Sequence, residues 1–221
     1  MLRKLYLSPL GHVISLVMRV LAVVQRPFVV YGYYNRPTKK FNKLTRISSS
    51  AVIIDKDKLD IADNTWVWHH SILDASNGIT IGKGCQIGAW VGIFSHGSHI
   101  AIRLLGDKYI DVDKSQRPGY QRGAVEIGEF TFIGAQSIIL PDVKIGKGCI
   151  IGAMSMVAKS VPDYAIVSGN PAEVIGDTRK LDRRFLKNLE IQQSYYDTSV
   201  LEEFLKEKEG KRERSVTGEA I

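Results

Sequence analysis

A six-residue repeat in the middle of the chain constrains the fold more than any other feature. Aliphatic residues recur every six positions in three sets: Ile61, Val67, Leu73 and Ile79; Ile81, Ile87 and Ile93; and Ile127, Ile133, Ile139, Ile145, Ile151 and Val157. This period fits neither an α-helix, with about 3.6 residues per turn, nor a simple alternating strand. It predicts an all-β solenoid, a parallel β-helix in which each repeat supplies a short strand and a corner.

The residues between the aliphatic positions support the same fold. We expect the aliphatic side chains to stack inward, with small or β-branched residues four places later also filling the narrow interior. We expect the glycine after many of the aliphatic residues to adopt positive φ and permit a tight corner. Three repeats make one triangular coil, so 127–162 supplies two coils and 61–98 about two more. Ile47, Ile53 and Leu59 indicate a leading coil.

The two cysteines occupy equivalent positions of the repeat. The five-residue segment Ile-Gly-Lys-Gly-Cys occurs at both 81–85 and 145–149. Cys85 and Cys149 are therefore interpreted as small core residues in a reducing compartment, which favours a cytoplasmic protein. Their spacing matches no zinc motif.

One long polar insertion interrupts the repeat, at 99–124. Solenoids commonly carry function on such loops. His96 and His99 stand where the loop begins, and His69 and His70 lie about one coil earlier. A histidine there suits general base catalysis, because its ordinary pKa lies near neutral pH. Three histidines from neighbouring coils are also a plausible zinc site with an open position, so both interpretations stay open.

Both ends of the chain differ from the repeat. Apolar residues within 5–24 follow the spacing of an amphipathic helix, which either lies on a membrane surface or packs on the protein. The stretch between Lys4 and Arg19 is too short to span a bilayer comfortably. After Asp177, one helix is predicted around 181–191 and a shorter one around 200–205. The mixed-charge segment 206–221 is expected to be frayed or disordered.

With these features in view, the sequence resembles the hexapeptide-repeat acyltransferases, and among them the sugar O-acetyltransferases of bacterial polysaccharide biosynthesis. The resemblance is carried by the repeats of 61–98 and 127–162, by the loop with His96 and His99 at its start, and by the segments 151–162 and 167–172. It covers about 47–180.

The resemblance implies a left-handed parallel β-helix with N-terminal and C-terminal helices. The expected division is a basic amphipathic arm at 1–46, the acyltransferase domain at 47–176 with its extruded loop at 99–124, and a helical tail at 177–221. It also implies a homotrimer with active sites between subunits, acetyl-CoA as co-substrate and no metal.

The resemblance further assigns residues of the site. The catalytic base is either His96 or His99. Asp74 matches a position of the acceptor pocket. His69 and His70 are also expected to bind the acceptor, since one of them stands near the place where galactoside-type relatives carry an asparagine.

Five residues are expected to contact acetyl-CoA. Ala135 and Ala153 would offer backbone groups to the pantetheine arm. Ala158 and Lys159 fall where the family often has Thr-Lys, so a hydroxyl contact is not expected there. Arg179 falls where a basic residue often meets the nucleotide phosphate.

The expected reaction is O-acetylation of a sugar hydroxyl during synthesis of a bacterial surface polysaccharide such as capsule or O-antigen. The histidine would remove the hydroxyl proton as the oxygen attacks the thioester, without an acyl-enzyme. The alternatives are an amino-sugar N-acetyltransferase, a serine acetyltransferase, or a zinc enzyme resembling the gamma-type carbonic anhydrases.

The distribution of charge bears on the partner. The formal net charge is +7 and hydrophobic residues make up 44%, a composition that excludes disorder. Residues 1–46 contain nine Lys and Arg and no acidic residue, so the remaining chain is slightly acidic. Nucleic acid is therefore not an expected partner. The arm is expected to contact the anionic inner leaflet, where lipid-linked glycan acceptors are built, or to pack on the trimer.

Overall fold

The computed structural model describes residues 8–217, and most of its strands lie in three sheets. In sheet I, six strands pair in parallel: β2 (Lys40–Ser48), β5 (Trp66–Val67), β8 (Gln86–Ile87), β13 (Phe132–Ile133), β16 (Ile150–Ile151) and β18 (Ala165–Gly169). Sheet II contains β3 (Val52–Ile54), β6 (Ile72–Asp74), β9 (Gly92–Phe94), β14 (Ile138–Ile139) and β17 (Met156–Val157). Sheet III contains β4 (Leu59–Ile61), β7 (Ile79–Ile81), β12 (Val125–Ile127) and β15 (Lys144–Ile145).

The chain visits the three sheets in rotation, one strand in each sheet per turn. We call this arrangement the three-sheet coil. Successive turns stack in register, because each strand pairs in parallel with the strand one turn later, as Leu73 does with Ile93 and Ile93 with Ile139. The prediction of short parallel strands joined by corners is therefore confirmed.

The interior of the three-sheet coil is built as the repeat predicts. All thirteen aliphatic residues named for the repeat are at most 3% exposed. The residues four positions later are also buried: Cys85, Val91, Thr131, Ser137, Val143, Cys149, Ser155 and Val161. Buried hydroxyls need partners, and two of them find one on the next coil: Thr131 Oγ1 donates to the carbonyl of Gly146 at 2.8 Å and Ser137 Oγ to that of Gly152 at 2.9 Å.

The expected role of the glycines that follow the aliphatic residues is wrong. None of them has positive φ; the corners with positive φ are formed by other residues, among them His70, Trp90 and Met154. These glycines are required because successive coils approach closely. A Cβ on Gly128 would lie 2.5 Å from the nitrogen of Lys147, and one on Gly134 would lie 2.5 Å from that of Ala153.

The N-terminal region adds a helix and a hairpin. Helix α1 (Pro9–Val24) confirms the predicted helix over the described part of 5–24, and the Ser8 hydroxyl caps it by accepting from the Gly11 amide at 3.2 Å. Strand β1 (Val29–Asn35) pairs antiparallel with β2 and was not predicted. No helix within 8–217 is both long and apolar enough to cross a membrane.

The insertion between the coils has a short stem. Strands β10 (His96–Gly97) and β11 (Gln121–Arg122) pair antiparallel at its base. Between them lie helix α2 (Ala101–Leu105) and single helical turns at Gly106–Tyr109 and Lys114–Gln116. The coil resumes at β12, as the repeat predicts.

The C-terminal region departs from the sequence prediction. Strand β19 (Ala172–Asp177) pairs antiparallel with β18 and is followed by α3 (Thr178–Asp182), α4 (Leu189–Ser194) and α5 (Thr198–Thr217). The single predicted helix at 181–191 is therefore two short ones. The prediction of a frayed segment from 206 is wrong as far as Thr217, and 218–221 lie outside the described residues. Arg183 fixes α5 by donating to both carboxylate oxygens of Glu207.

Asp197 joins this region to the three-sheet coil. Its buried carboxylate accepts hydrogen bonds from Lys147 at 2.7 Å and from the hydroxyls of Tyr164 and Ser199. Burial alone would raise the pKa of Asp197, but these hydrogen bonds outweigh it and hold the pKa well below its ordinary value. The ionised form is therefore the one that stabilises the folded chain.

We predict that Ile139→Ala lowers the free energy of unfolding by about 2–5 kcal/mol, because it leaves a cavity between coils. Ile138 is the matched control, since it lies in the same strand but on the outer, half-buried face. Ile138→Ala should cost clearly less in urea unfolding followed by circular dichroism. Equal losses in the two variants would contradict the assignment of inner and outer faces.

We also predict that Asp197→Asn makes stability less dependent on pH. A carboxylate with a lowered folded-state pKa contributes stability above its unfolded-state pKa, about 3.9, and loses that contribution as the pH falls. At pH 7 the variant should be about 1–3 kcal/mol less stable than the unmodified chain, with the difference shrinking below pH 4. The exposed Asp142 provides the control Asp142→Asn. A constant difference across this pH range would count against the proposed role.

Candidate active site

His96 lies at the base of the inserted loop, two residues after the end of β9. Its side chain is 27% exposed, while its Nδ1 atom is buried and lies 3.2 Å from Oδ2 of Asp74. The contact is close without the alignment of a hydrogen bond, which is common for catalytic groups before substrate binds. Since Nδ1 faces inward, Nε2 is the ring nitrogen that can meet a substrate.

Asp74 ends β6, the strand one turn before β9 in sheet II. Its side chain is only 7% exposed, and Oδ1 accepts hydrogen bonds from the amide and hydroxyl of Ser76. Burial alone would raise the pKa of Asp74, but the Ser76 hydrogen bonds and the nearby His96 and Lys114 outweigh it and lower the pKa. Asp74 is therefore a carboxylate at neutral pH.

The backbone around this pair is fixed by a buried serine. Ser95 Oγ donates to the carbonyl of Asp74 at 2.7 Å and accepts from the amide of Asn77 at 2.8 Å. The side chain of Asn77 in turn donates to the carbonyl of Ser95 at 2.9 Å. These bonds tie the ends of β6 and β9 together, so the coil fixes Asp74 and Ser95, the residue directly before His96.

The loop contributes an aromatic and two cationic side chains beside His96. The buried ring of Tyr120 stacks on the imidazole, with ring centroids 5.6 Å apart and planes 4° from parallel. Arg122 and Lys114 each place their charge near the Tyr120 ring, at 4.7 Å and 5.5 Å from its centroid. None of these three residues was predicted as part of the site, because their proximity to His96 depends on how the loop closes.

This arrangement suits general base catalysis. A carboxylate facing Nδ1 favours the tautomer with the proton on Nδ1, which leaves the lone pair of Nε2 directed away from Asp74. The same carboxylate stabilises the imidazolium that forms when Nε2 accepts a proton, as in other carboxylate–histidine pairs.

His99 is placed differently. It is exposed and lies within the loop, and its carbonyl accepts a hydrogen bond from Arg103 at 2.7 Å. Among the described residues no carboxylate pairs with its ring. Of the two histidines predicted as the base, His96 is therefore the one that pairs with Asp74.

His69 and His70 lie at the other end of the sheet II strands. We call the carboxyl-terminal ends of these strands the Asp74 edge and their amino-terminal ends the Trp90 edge. At the Trp90 edge, His69 Nδ1 is 2.6 Å from Ser48 Oγ, and His70 stacks on Trp90 at 4.3 Å. The structure thus separates the predicted acceptor residues within one chain. The described residues contain no group of three or more His, Cys, Asp or Glu placed to hold a metal.

The five residues predicted to contact acetyl-CoA are also divided. Ala135 and Ala153 are exposed at the Trp90 edge, where the Ala135 carbonyl accepts from the Met154 amide at 2.9 Å. Ala158 and Lys159 are exposed at the Asp74 edge, directly after β17. This edge therefore carries His96 and Lys159 on different coils.

Arg179 lies away from both edges, at the corner formed by Tyr164. Its guanidinium donates to both carboxylate oxygens of Asp177, at 2.6 Å for the closest pair, and lies over the Tyr164 ring. Hydrogen bonding to Asp177 raises the pKa of Arg179. A phosphate would have to compete with Asp177 for this arginine.

Neither cysteine has the surroundings of a nucleophile. Burial raises the pKa of Cys85 to about 11 and also raises that of Cys149. Both thiols are buried and free. Their predicted place in the core is confirmed.

Comparison with known proteins places this geometry in context. The family described as bacterial transferase hexapeptide (six repeats) matches residues 124–159. A chloramphenicol acetyltransferase of Morganella morganii is 32% identical over 114 residues, which cover 48% of this chain and 54% of the relative. Serine acetyltransferase 4 of Arabidopsis thaliana is 30% identical over 146 residues, covering 66% of this chain and 37% of the relative. The chain thus spans only about half, or less, of these relatives.

A solved structure shares the fold. A variant of AntD, an N-acyltransferase from Bacillus cereus crystallised with dTDP-4-amino-4,6-dideoxyglucose and coenzyme A, superimposes with a TM-score of 0.51 at 24% identity. The match covers 65% of this chain and 88% of that one. Residues 124–159 are therefore a bacterial transferase hexapeptide repeat, and the chain resembles the hexapeptide-repeat acyltransferases.

Proposed function

We propose that this protein is an acetyl-CoA-dependent O-acetyltransferase that acts on a sugar hydroxyl in the synthesis of a bacterial surface polysaccharide. The observation that carries the proposal is the His96–Asp74 pair, which stands at the base of the inserted loop in a hexapeptide-repeat coil. The names of the relatives support acetyl transfer. The sugar acceptor rests on the sequence resemblance.

In the proposed mechanism, His96 Nε2 removes the proton of the acceptor hydroxyl as its oxygen attacks the thioester carbonyl. Asp74 stabilises the imidazolium formed in this step. His96 then returns the proton to the leaving thiolate, so the catalyst is restored and no acyl-enzyme forms. General base catalysis of this kind contributes about 10²–10⁴-fold to the rate.

The acyl donor would be held mainly through backbone groups and a few cations. Ala153 is an exposed residue whose amide makes no hydrogen bond within the described residues, so this amide is available to donate to the pantetheine arm. Lys159 is exposed and suited to a phosphate. When bound, acetyl-CoA supplies an activated acetyl group.

A homotrimer of left-handed coils would bring together the two edges of sheet II, one from each of two neighbouring subunits. The outer face of sheet II is apolar, with Val52, Ile72, Ile138 and Met156 at least partly exposed. Packing this face about a threefold axis would set the Asp74 edge of one subunit beside the Trp90 edge of the next. His69, His70, Ala135 and Ala153 would then join His96 in one cleft.

We predict that His96→Gln lowers kcat by about 10²–10⁴-fold, because the general base is lost. His99→Gln is the matched control and should stay within a few-fold of the unmodified enzyme. Thiol release from acetyl-CoA is the measurement, with a panel of nucleotide-linked and lipid-linked sugars, amino sugars and L-serine as acceptors.

Binding of coenzyme A, measured by calorimetry, should be unchanged in both variants. Full activity of His96→Gln would refute the assignment of the base. If L-serine were the only acceptor that gave thiol release, serine would replace the sugar as the proposed acceptor. The Arabidopsis relative makes this outcome worth testing.

We also propose that residues 1–46 hold the enzyme on an anionic membrane surface. Helix α1 exposes large apolar side chains, among them Leu16 at 63% and Val20 at 59% exposed. The arm around it contains nine basic residues and no acidic one. Apolar insertion combined with basic charge is the pattern of interfacial helices.

We predict that Leu16→Glu with Val20→Glu weakens binding to vesicles containing phosphatidylglycerol by about tenfold or more. Ile110→Glu is the control, since Ile110 is 81% exposed in the loop and outside the arm. Vesicle co-sedimentation is the measurement, with pure phosphatidylcholine vesicles for comparison. Unchanged vesicle binding would instead assign α1 to packing within the trimer.

A further inference from the structure

The two cations beside His96 have no place in the mechanism described above. Strands β10 and β11 place Arg122 directly opposite His96 in their antiparallel ladder. Side chains of directly opposed residues project from the same face, with Cβ atoms about 5 Å apart. Arg122 is therefore a neighbour of the proposed base on the surface that a substrate must approach.

Lys114 joins Arg122 at this place. Both charges lie near the ring of Tyr120, which stacks on His96, so the two cations and the imidazole share one aromatic neighbour. Arg122 also donates to the carbonyl of Lys114, which links the two segments of the loop. This contact holds the Arg122 guanidinium next to the backbone of Lys114.

The pair presents positive charge on the loop, within electrostatic range of Asp74 and Asp113 but without an ion pair to either. Lys114 and Arg122 are exposed, and within the described residues neither forms an ion pair with a carboxylate. Asp113, next to Lys114 in the sequence, uses Oδ1 to accept from the amide and hydroxyl of Ser115. Asp74 lies behind His96 and is buried. An approaching acceptor therefore meets two cations.

We infer that Lys114 and Arg122 bind an anionic group on the acceptor, a phosphate or a carboxylate, and this inference rests on the proposed function. Arginine binds such oxyanions with two parallel hydrogen bonds, and lysine adds a point charge. The acceptor is then an acidic sugar or a sugar phosphate. The anion lies within one or two sugar rings of the hydroxyl that His96 deprotonates.

Acetyl-CoA does not account for this cation pair. Its phosphates lie at the far end of the pantetheine arm from the thioester, whereas the pair stands beside the residue that must meet the reacting hydroxyl. The two anionic groups that remain are distinguished by the probes used below.

The test measures binding at His96 without requiring turnover. The full-length protein is labelled with ¹⁵N-histidine, and the His96 resonance is assigned by its loss in His96→Gln. Glucose 1-phosphate, glucuronate and glucose are titrated separately. We expect a saturable shift of the His96 resonance with glucose 1-phosphate, glucuronate or both, and none at the same concentrations of glucose. The charged probe that binds more tightly identifies the class of anion.

Variants then test the two cations. Lys114→Gln and Arg122→Gln should each weaken binding of the charged probe by about tenfold or more, while Arg122→Lys should retain part of it. Lys108→Gln is the matched control, because Lys108 is an exposed lysine of the same loop, whereas the cations over the Tyr120 ring are Lys114 and Arg122. Circular dichroism checks that each variant is folded.

The inference is overturned if no charged probe produces a saturable shift. It is also overturned if glucose binds as tightly as the charged probes, or if Lys114→Gln and Arg122→Gln bind like Lys108→Gln. Failure of the proposed function has a different signature. If anion binding depends on Lys114 and Arg122 but no acceptor gives thiol release, the anion site is supported and the proposed transferase activity is refuted.

Discussion

The close stacking of successive coils is the constraint on which the rest of the structure depends. Parallel strands one turn apart share hydrogen bonds, and the backbones at the corners approach so closely that a Cβ on Gly128 would collide with the next coil. The interior is narrow, so Ile and Leu side chains alternate there with the smaller Cys, Ser, Thr and Val. The interior hydroxyls of Thr131 and Ser137 donate to carbonyls on the next coil, which further fixes the spacing.

This rigidity gives the proposed catalytic pair its geometry. Asp74 and His96 stand at the ends of neighbouring strands of one sheet, and Ser95 locks the backbone between them. The coil fixes Asp74 and the residue before His96, while His96 itself pairs with Arg122 in the stem of the loop. The loop also adds Tyr120 and Lys114 around the pair. A rigid scaffold that positions the reacting groups avoids much of the entropic cost of assembling them for each turnover.

A feature could be predicted from the sequence when the residues that form it lie close together along the chain. The sixfold period reports a local pattern that recurs, so the core residues and the position of the loop were predictable. The Tyr120 stack was not, because it depends on the pairing of β10 with β11 across the whole insertion. The role of the glycines was misassigned for a similar reason, since close approach involves the next coil. In the tail, the contact between Arg183 and Glu207 fixes a helix whose composition alone suggested disorder.

The separation of the predicted site residues has a structural consequence. His96 and Lys159 occupy one edge of sheet II, while His69, Ala135 and Ala153 occupy the other. The length of the sheet II strands separates the two sets. A rigid coil cannot bend to bring its own edges together. If both sets act on one reaction, a neighbouring subunit must supply one of them. The apolar outer face between the edges fits that requirement, whereas the outer face of sheet III carries Asp60, Thr80, Glu126 and Lys144.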